Sequence, residues 1–236
     1  MEEKASGIVL SAVNYGESDK ILNIFTLEQG VVSAKIKGVK KAGAKLRFSA
    51  EPFCFAEYVF AEKSGKRTVT GASLIDSFYP LREDLKKLFA AGAVTEFVKK
   101  FVREGMAAEE LFLISVNALK TLAYGEAPPA GALAAFLTEG LKYSGYALNT
   151  EGCRECGEEP DGRVFFDAEN GSFLCEKCAS GALEINFSTY AALKALKDGV
   201  YPEGQRAKNL LKLLDYYMAV KPEENLKALK ELIKLL

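Results

Sequence analysis

The 236-residue chain has no histidine, which removes the usual general base near neutral pH. It has no run of eighteen apolar residues, so it encodes no transmembrane helix of ordinary length. No Gly-rich phosphate loop, serine-based triad or paired carboxylate constellation stands out, and there is no internal repeat or low-complexity tract. Net charge is close to absent as well, at −1, which argues neither for nor against a nucleic-acid partner. The opening Met1-Glu2-Glu3-Lys4 runs straight into a strand-like stretch. No targeting segment is therefore expected, and a reducing cytoplasm is the expected compartment. What remains is a chain of ordinary apolar content, 49%, long enough for a full core and for two domains.

Cysteine is also scarce, with five in all, but four of them are paired. Cys153-Arg154-Glu155-Cys156 is followed by eighteen residues and then Cys175-Glu176-Lys177-Cys178. Two C-x-x-C pairs at this spacing suit one tetrahedral Zn²⁺, each pair on a tight turn that points two sulfurs at a common centre. Gly157 and Gly181 follow the two pairs and permit such turns. The spacer holds a strand, Arg163-Val164-Phe165-Phe166-Asp167, a hairpin signal at Asn170-Gly171, and a second strand, Ser172-Phe173-Leu174. Knuckle, hairpin and knuckle make a zinc ribbon. Disulfides are the alternative, opposed by the expected reducing compartment. A redox-active C-x-x-C is another, opposed by the lack of a surrounding βαβ pattern. With four cysteine ligands no coordination position is left for water or substrate, so the zinc is read as structural. Cys54 is read as core.

The first 80 residues read as five short strands: Ile8–Val13, Lys20–Leu27, Val31–Ile36, Phe53–Ala61 and Arg67–Ile75. The turns between them contain glycine and no helix intervenes, which predicts a small closed barrel of the OB-fold kind. Between the third and fourth strands lies Lys35-Ile36-Lys37-Gly38-Val39-Lys40-Lys41-Ala42-Gly43-Ala44-Lys45-Leu46-Arg47, with six basic residues and no acid. On such a barrel, Lys35, Lys37, Lys40, Lys41, Lys45 and Arg47 are candidate contacts to a phosphate backbone. The bland reading is a loop kept polar for solubility. Tyr15, Phe48 and Phe53 are aromatics able to stack on bases, but most aromatics in a small barrel are core, and none is assigned that role.

From Leu81 the apolar period becomes helical. Leu85, Leu88, Phe89, Ala93, Val94, Phe97, Val98, Phe101 and Val102 form one stripe. Further helices are expected over about 109–124, 132–143, from a cap at Ser188 or Thr189 to near Gly199, and over 206–220. A last one begins at Pro222, with Glu223 and Glu224 in its first turn. The predicted organisation is α+β. Residues 1–80 form an OB-fold domain, and residues 81–236 form a helical domain with a zinc ribbon inserted at about 150–181.

Barrel, helices and four-cysteine ribbon in this order resemble the RecO family of bacterial recombination mediators. The local matches are Tyr15-Gly16-Glu17-Ser18-Asp19-Lys20 with Ile21-Leu22-Asn23-Ile24-Phe25-Thr26, Lys37-Gly38-Val39-Lys40-Lys41, Glu51-Pro52-Phe53, Leu81-Arg82-Glu83-Asp84-Leu85 and the two cysteine pairs. Here Lys40-Lys41 stands where arginine is frequent, and Phe48-Ser49-Ala50 where glycines are common. The resemblance implies a non-enzymatic DNA-repair protein that binds single- and double-stranded DNA and anneals complementary strands. It also implies action with a RecR-like protein to help RecA load on DNA coated by SSB. A zinc-ribbon adaptor that binds proteins without DNA, and an enzyme working through Asp or Glu, are the alternatives.

Overall fold

A computed structural model describes residues 2–236. The chain divides into two compact units: residues up to Asp84 with Val94–Tyr124, and Leu85–Ala93 with Gly125–Leu236. The unit built on the barrel thus extends beyond the first 80 residues.

In the first unit β1 (Glu2–Tyr15), β2 (Asp19–Thr26), β3 (Gly30–Ile36), β4 (Phe55–Lys63) and β5 (Lys66–Asp76) close into a barrel in the order β1-β2-β3-β5-β4. All pairs are antiparallel except β3–β5. This is the five-stranded OB arrangement expected from the sequence. The pleat sorts the residues. Leu22 and Ile24 of β2 point inward beside Val32, Ala34 and Ile36 of β3, while Ile21 and Asn23 face out. The first strand is longer than its apolar run, because Glu2–Gly7 pairs with β4 along its whole length.

The fourth strand starts at Phe55, two residues later than expected. Phe53 has φ 69, a left-handed conformation rare for an aromatic residue. It is held there by its N–H, which donates to the Val9 carbonyl at 2.8 Å, and by Arg82, whose guanidinium donates to the Pro52 carbonyl at 2.6 Å and lies 5.7 Å from the ring. Cys54 is buried in the barrel core and unpaired, as read.

A short 3₁₀ turn, Tyr79–Arg82, precedes α1 (Leu85–Phe101), so the long helix starts later than Leu81. Its residues divide between the units at Val94. In α2 (Glu109–Tyr124), Phe112 packs edge-on against Phe25 and Phe55 at 5.3 and 6.0 Å, which fastens this helix to the barrel. The Tyr124 hydroxyl donates to Asp76 at 2.7 Å.

The second unit contains α3 (Pro129–Tyr143), a four-stranded sheet, α4 (Phe187–Ala195), α5 (Gly204–Val220) and α6 (Lys227–Leu235). The third helix begins at Pro129, whose fixed φ suits a first helical turn. The fourth is capped by Asn186, not by Ser188 or Thr189; the Asn186 side chain accepts from the Ser188 N–H at 2.8 Å. The last helix does not start at Pro222. Glu223 has φ 56, and the Glu224 N–H donates to the Met218 carbonyl at 2.8 Å, so this segment closes α5. One face of α6 is apolar, with Leu226, Leu229 and Leu232 buried.

Candidate metal centre and nucleic-acid interface

The ribbon sheet runs β6-β8-β7-β9, from β6 (Asn149–Cys153), β7 (Val164–Asp167), β8 (Ser172–Cys175) and β9 (Leu183–Ile185). The predicted hairpin is β7–β8. Its turn is closed by Asp167, whose carboxylate accepts from the Asn170 backbone and side chain at 3.2 and 2.7 Å. Phe166 and Phe173 on one face of the sheet meet Tyr217 and Tyr190 of α5 and α4, at 5.7 and 4.9 Å between ring centres. Phe165, on the other face of β7, packs beside the cysteines.

The sulfurs of Cys153, Cys156, Cys175 and Cys178 all lie within 4.8 Å of one another, and those of Cys156 and Cys175 are 3.8 Å apart. A disulfide needs about 2.05 Å. Four sulfurs about 2.3 Å from a central ion would sit about 3.8 Å apart at tetrahedral angles. The donor set and spacing therefore fit one tetrahedral, thiophilic ion. Each knuckle is tied by its own backbone: the Gly157 N–H donates to the Cys153 carbonyl at 2.8 Å, and the Cys178 N–H to the Cys175 carbonyl at 3.1 Å.

The protonation pattern of the thiols is uneven. Burial pushes Cys153 up, but backbone N–H groups at Cys156, Cys175 and Glu155 outweigh it and bring the thiol down to about 6. Cys178 is pushed up to about 12, first by its hydrogen bond with Cys175 and then by that with Cys156. Four thiols this close cannot all ionise without a cation among them, so metal uptake must release protons and weaken as pH falls.

Gly152 is a determinant that the cysteine spacing does not reveal. Its φ is 92, and a β-carbon there would stand 2.7 Å from the Gly157 carbonyl oxygen. Gly152→Ala is expected to cost about 1–3 kcal/mol in backbone strain, and to weaken metal binding because the first knuckle must open. Competition with a chromogenic chelator measures this. Metal retention equal to the parent protein would show that the knuckle tolerates the side chain.

The basic segment lies between β3 and a short 3₁₀ turn, Phe48–Ala50. It is not a free loop. Val39 and Ala50 are buried in the barrel core, with Leu46 and Phe48 packed against it. Successive turns are closed by the N–H groups of Lys41, Ala44 and Arg47, donating to the carbonyls of Gly38, Lys41 and Ala44 at 3.1, 3.2 and 3.1 Å. Lys37, Lys40, Lys41, Lys45 and Arg47 are exposed, and no acidic partner is found for them among the described residues.

Lys35 differs. Its ammonium is 2.8 Å from Asp19 and 4.6 Å from the centre of the Tyr15 ring. Asp19 also accepts from the Gly38 N–H at 2.8 Å, and the hydrogen bonds from Lys35 and then Gly38 hold its carboxyl down at about 2. Asp19 therefore clamps the β1–β2 turn to the start of the basic segment. Sequence inspection passed over this role, although Asp19 lies in one of the stretches quoted for the resemblance.

The cations of the ribbon are neutralised within it. Arg154 pairs with Asp167 at 2.8 Å, Arg163 with Glu184 at 2.8 Å and with Glu176, and Lys177 with Glu158 at 3.4 Å.

The sequence matches the family model described as Recombination protein O N terminal over residues 1–78, and that described as Recombination protein O C terminal over residues 82–230. The chain belongs to the RecO family. Among curated relatives, each called DNA repair protein RecO, one from Anaeromyxobacter sp. (strain K) is 36% identical over 83% of this chain and 79% of its own length. One from Acetivibrio thermocellus is 32% identical over 80% and 77%. One from Pelotomaculum thermopropionicum is 31% identical over 95% and 91%. Membership of this DNA-repair family agrees with the barrel, the helices and the four-cysteine cluster. Among the described residues no helix is long and apolar enough to cross a membrane.

Proposed function

We propose that this RecO-family chain is a non-catalytic recombination mediator. It binds single- and double-stranded DNA through the barrel, anneals complementary strands, and with a RecR-like protein helps RecA load on SSB-coated DNA. The observation that carries the DNA-binding reading is the contrast in charge pairing. Five exposed cations on one anchored segment lack acidic partners among the described residues, while the ribbon's cations are spent on its own carboxylates. Unpaired ammonium and guanidinium groups displace counterions from a phosphate backbone, whatever the sequence. Two strands held against such a surface repel each other less, which favours pairing.

The metal in this reading is Zn²⁺, held by Cys153, Cys156, Cys175 and Cys178. It joins the ribbon's two knuckles and offers no open position for a reaction.

The test is fluorescence anisotropy with labelled oligo(dT) and duplex DNA over a salt series, with an annealing assay alongside. Binding to both forms, falling as salt rises, and faster annealing of complementary oligonucleotides are expected. Tight binding to a partner protein with no DNA affinity at low salt would favour the adaptor reading. A nuclease or ATPase activity lost on a single Asp or Glu substitution would overturn the non-catalytic one.

A further inference from the structure

The outer face of β1–β2–β3 carries more than charge. The strand register sets Val13, Ile21 and Lys35 in one rung across the three strands, with Tyr15 opposite Asp19 in the next. Val13 is 61% exposed and Tyr15 54%, so an apolar residue and an aromatic ring stand in solvent on the same face. Of the three aromatics weighed from sequence, Phe53 is buried and Phe48 is packed on the barrel core. Tyr15 alone of these is free of the core, and its hydroxyl has no partner among the described residues.

Nor is the ring loose. The Lys35 ammonium lies 4.6 Å from its centre, and Asp19 fixes that ammonium at 2.8 Å. A cation over one face orients the ring and leaves another surface open. Asp19 in turn holds the Gly38 N–H, where the basic segment begins. The ring and the unpaired cations are thus tied to one another through a single carboxylate.

We infer that Tyr15 is a base-stacking residue, which distinguishes single-stranded nucleic acid from duplex while the segment 37–47 holds phosphates. This rests on the DNA-binding reading above. In a duplex the bases are stacked on each other and offer the ring no face; in a single strand they are free. Stacking on an aromatic ring is tolerant of sequence and does not release counterions, so it is separable from the phosphate contacts by its salt dependence. Lys35 is on this account a positioning residue for the ring and not a phosphate contact.

The experiment compares the full-length protein with Tyr15→Ala and Tyr15→Phe, using oligo(dT), an abasic oligonucleotide of equal length, and a duplex. Tyr15→Ala is expected to weaken oligo(dT) binding between about five- and one-hundred-fold. Its salt slope, duplex binding and melting temperature should stay unchanged. Tyr15→Phe should bind as the parent does, and the parent should bind the abasic strand about as weakly as Tyr15→Ala does. The chain contains no tryptophan, so Tyr15→Trp places a single indole at the site, whose fluorescence should be quenched by oligo(dT).

If the parent binds all three nucleic acids but Tyr15→Ala binds oligo(dT) equally well, the stacking role is wrong while DNA binding stands. Loss of single-strand and duplex binding together, with a lower salt slope, would overturn it in favour of an effect through the basic segment. If the parent binds none of the three, the DNA-binding reading itself fails and this inference with it.

Discussion

Cys153→Ser is expected to reduce the metal content from one ion per chain to none, and to lower the melting temperature of the 236-residue chain by about 10 °C. Ligand-linked stability follows the logarithm of free metal over Kd, giving about 4 kcal/mol when free metal is a thousand times Kd. In a domain of 150–250 residues each kcal/mol moves the midpoint by about 2–4 °C. The ribbon depends on the ion more than the helices do. Its four strands are three to five residues long, and the core around its cysteines consists of only a few side chains. Without metal, the cysteine side of the sheet loses its centre, while the Phe166, Phe173, Tyr190 and Tyr217 cluster still holds the other side against α4 and α5. Partial retention of helical signal is therefore expected alongside the lower midpoint.

Cys54→Ala is the control. Cys54 lies in the barrel core and is not one of the four clustered cysteines, so this variant should lose barrel stability and keep its metal. Elemental analysis and thermal melts of protein purified without chelators decide the matter. Protein that carries no metal, or an unchanged melt after Cys153→Ser, would defeat the structural-metal reading. Acidification should release the ion, since all four ligands bind as thiolates and protons compete with the metal for them.

The barrel and the cysteine cluster were legible because their signals are local. Five apolar runs with glycine turns define strands, and paired C-x-x-C units define sulfur positions whatever surrounds them. The errors fall where a residue's state depends on a distant partner. The apolar run of the first strand begins at Ile8, yet the polar residues before it are strand because β4 lies beside them. Strands β6 and β9 went unread, being three to five residues long with no clear alternation. Pro222-Glu223-Glu224 has the composition of a helix start, but Glu223 adopts a left-handed turn and the segment closes the preceding helix. In the basic segment the six cations were plain. That Val39, Leu46 and Phe48 anchor it, and that Asp19 pairs with Lys35, needed the fold.

That pairing shapes the second large effect, expected from Lys40→Ala/Lys41→Ala. With Lys35 occupied, Lys37, Lys40, Lys41, Lys45 and Arg47 remain for phosphates. If about four of these each neutralise one phosphate of single-stranded DNA, log K should fall against log salt with a slope of about −3. Removing two should reduce the magnitude of that slope by about 1 to 1.5, a loss of several-fold to tens-fold in affinity at low salt that shrinks as salt rises. All sequences should weaken alike, since phosphate contacts carry no base information. The fold should survive, because both side chains are exposed and the apolar anchors of the segment are untouched. Lysine at these positions contributes charge without the paired hydrogen bonds of arginine, so Lys40→Arg/Lys41→Arg should bind at least as tightly as the parent with the same slope. A folded Lys40→Ala/Lys41→Ala protein with parental affinity and slope would place the DNA-binding surface elsewhere. The ribbon would be a weak successor, since its arginines are already held by Asp167, Glu176 and Glu184.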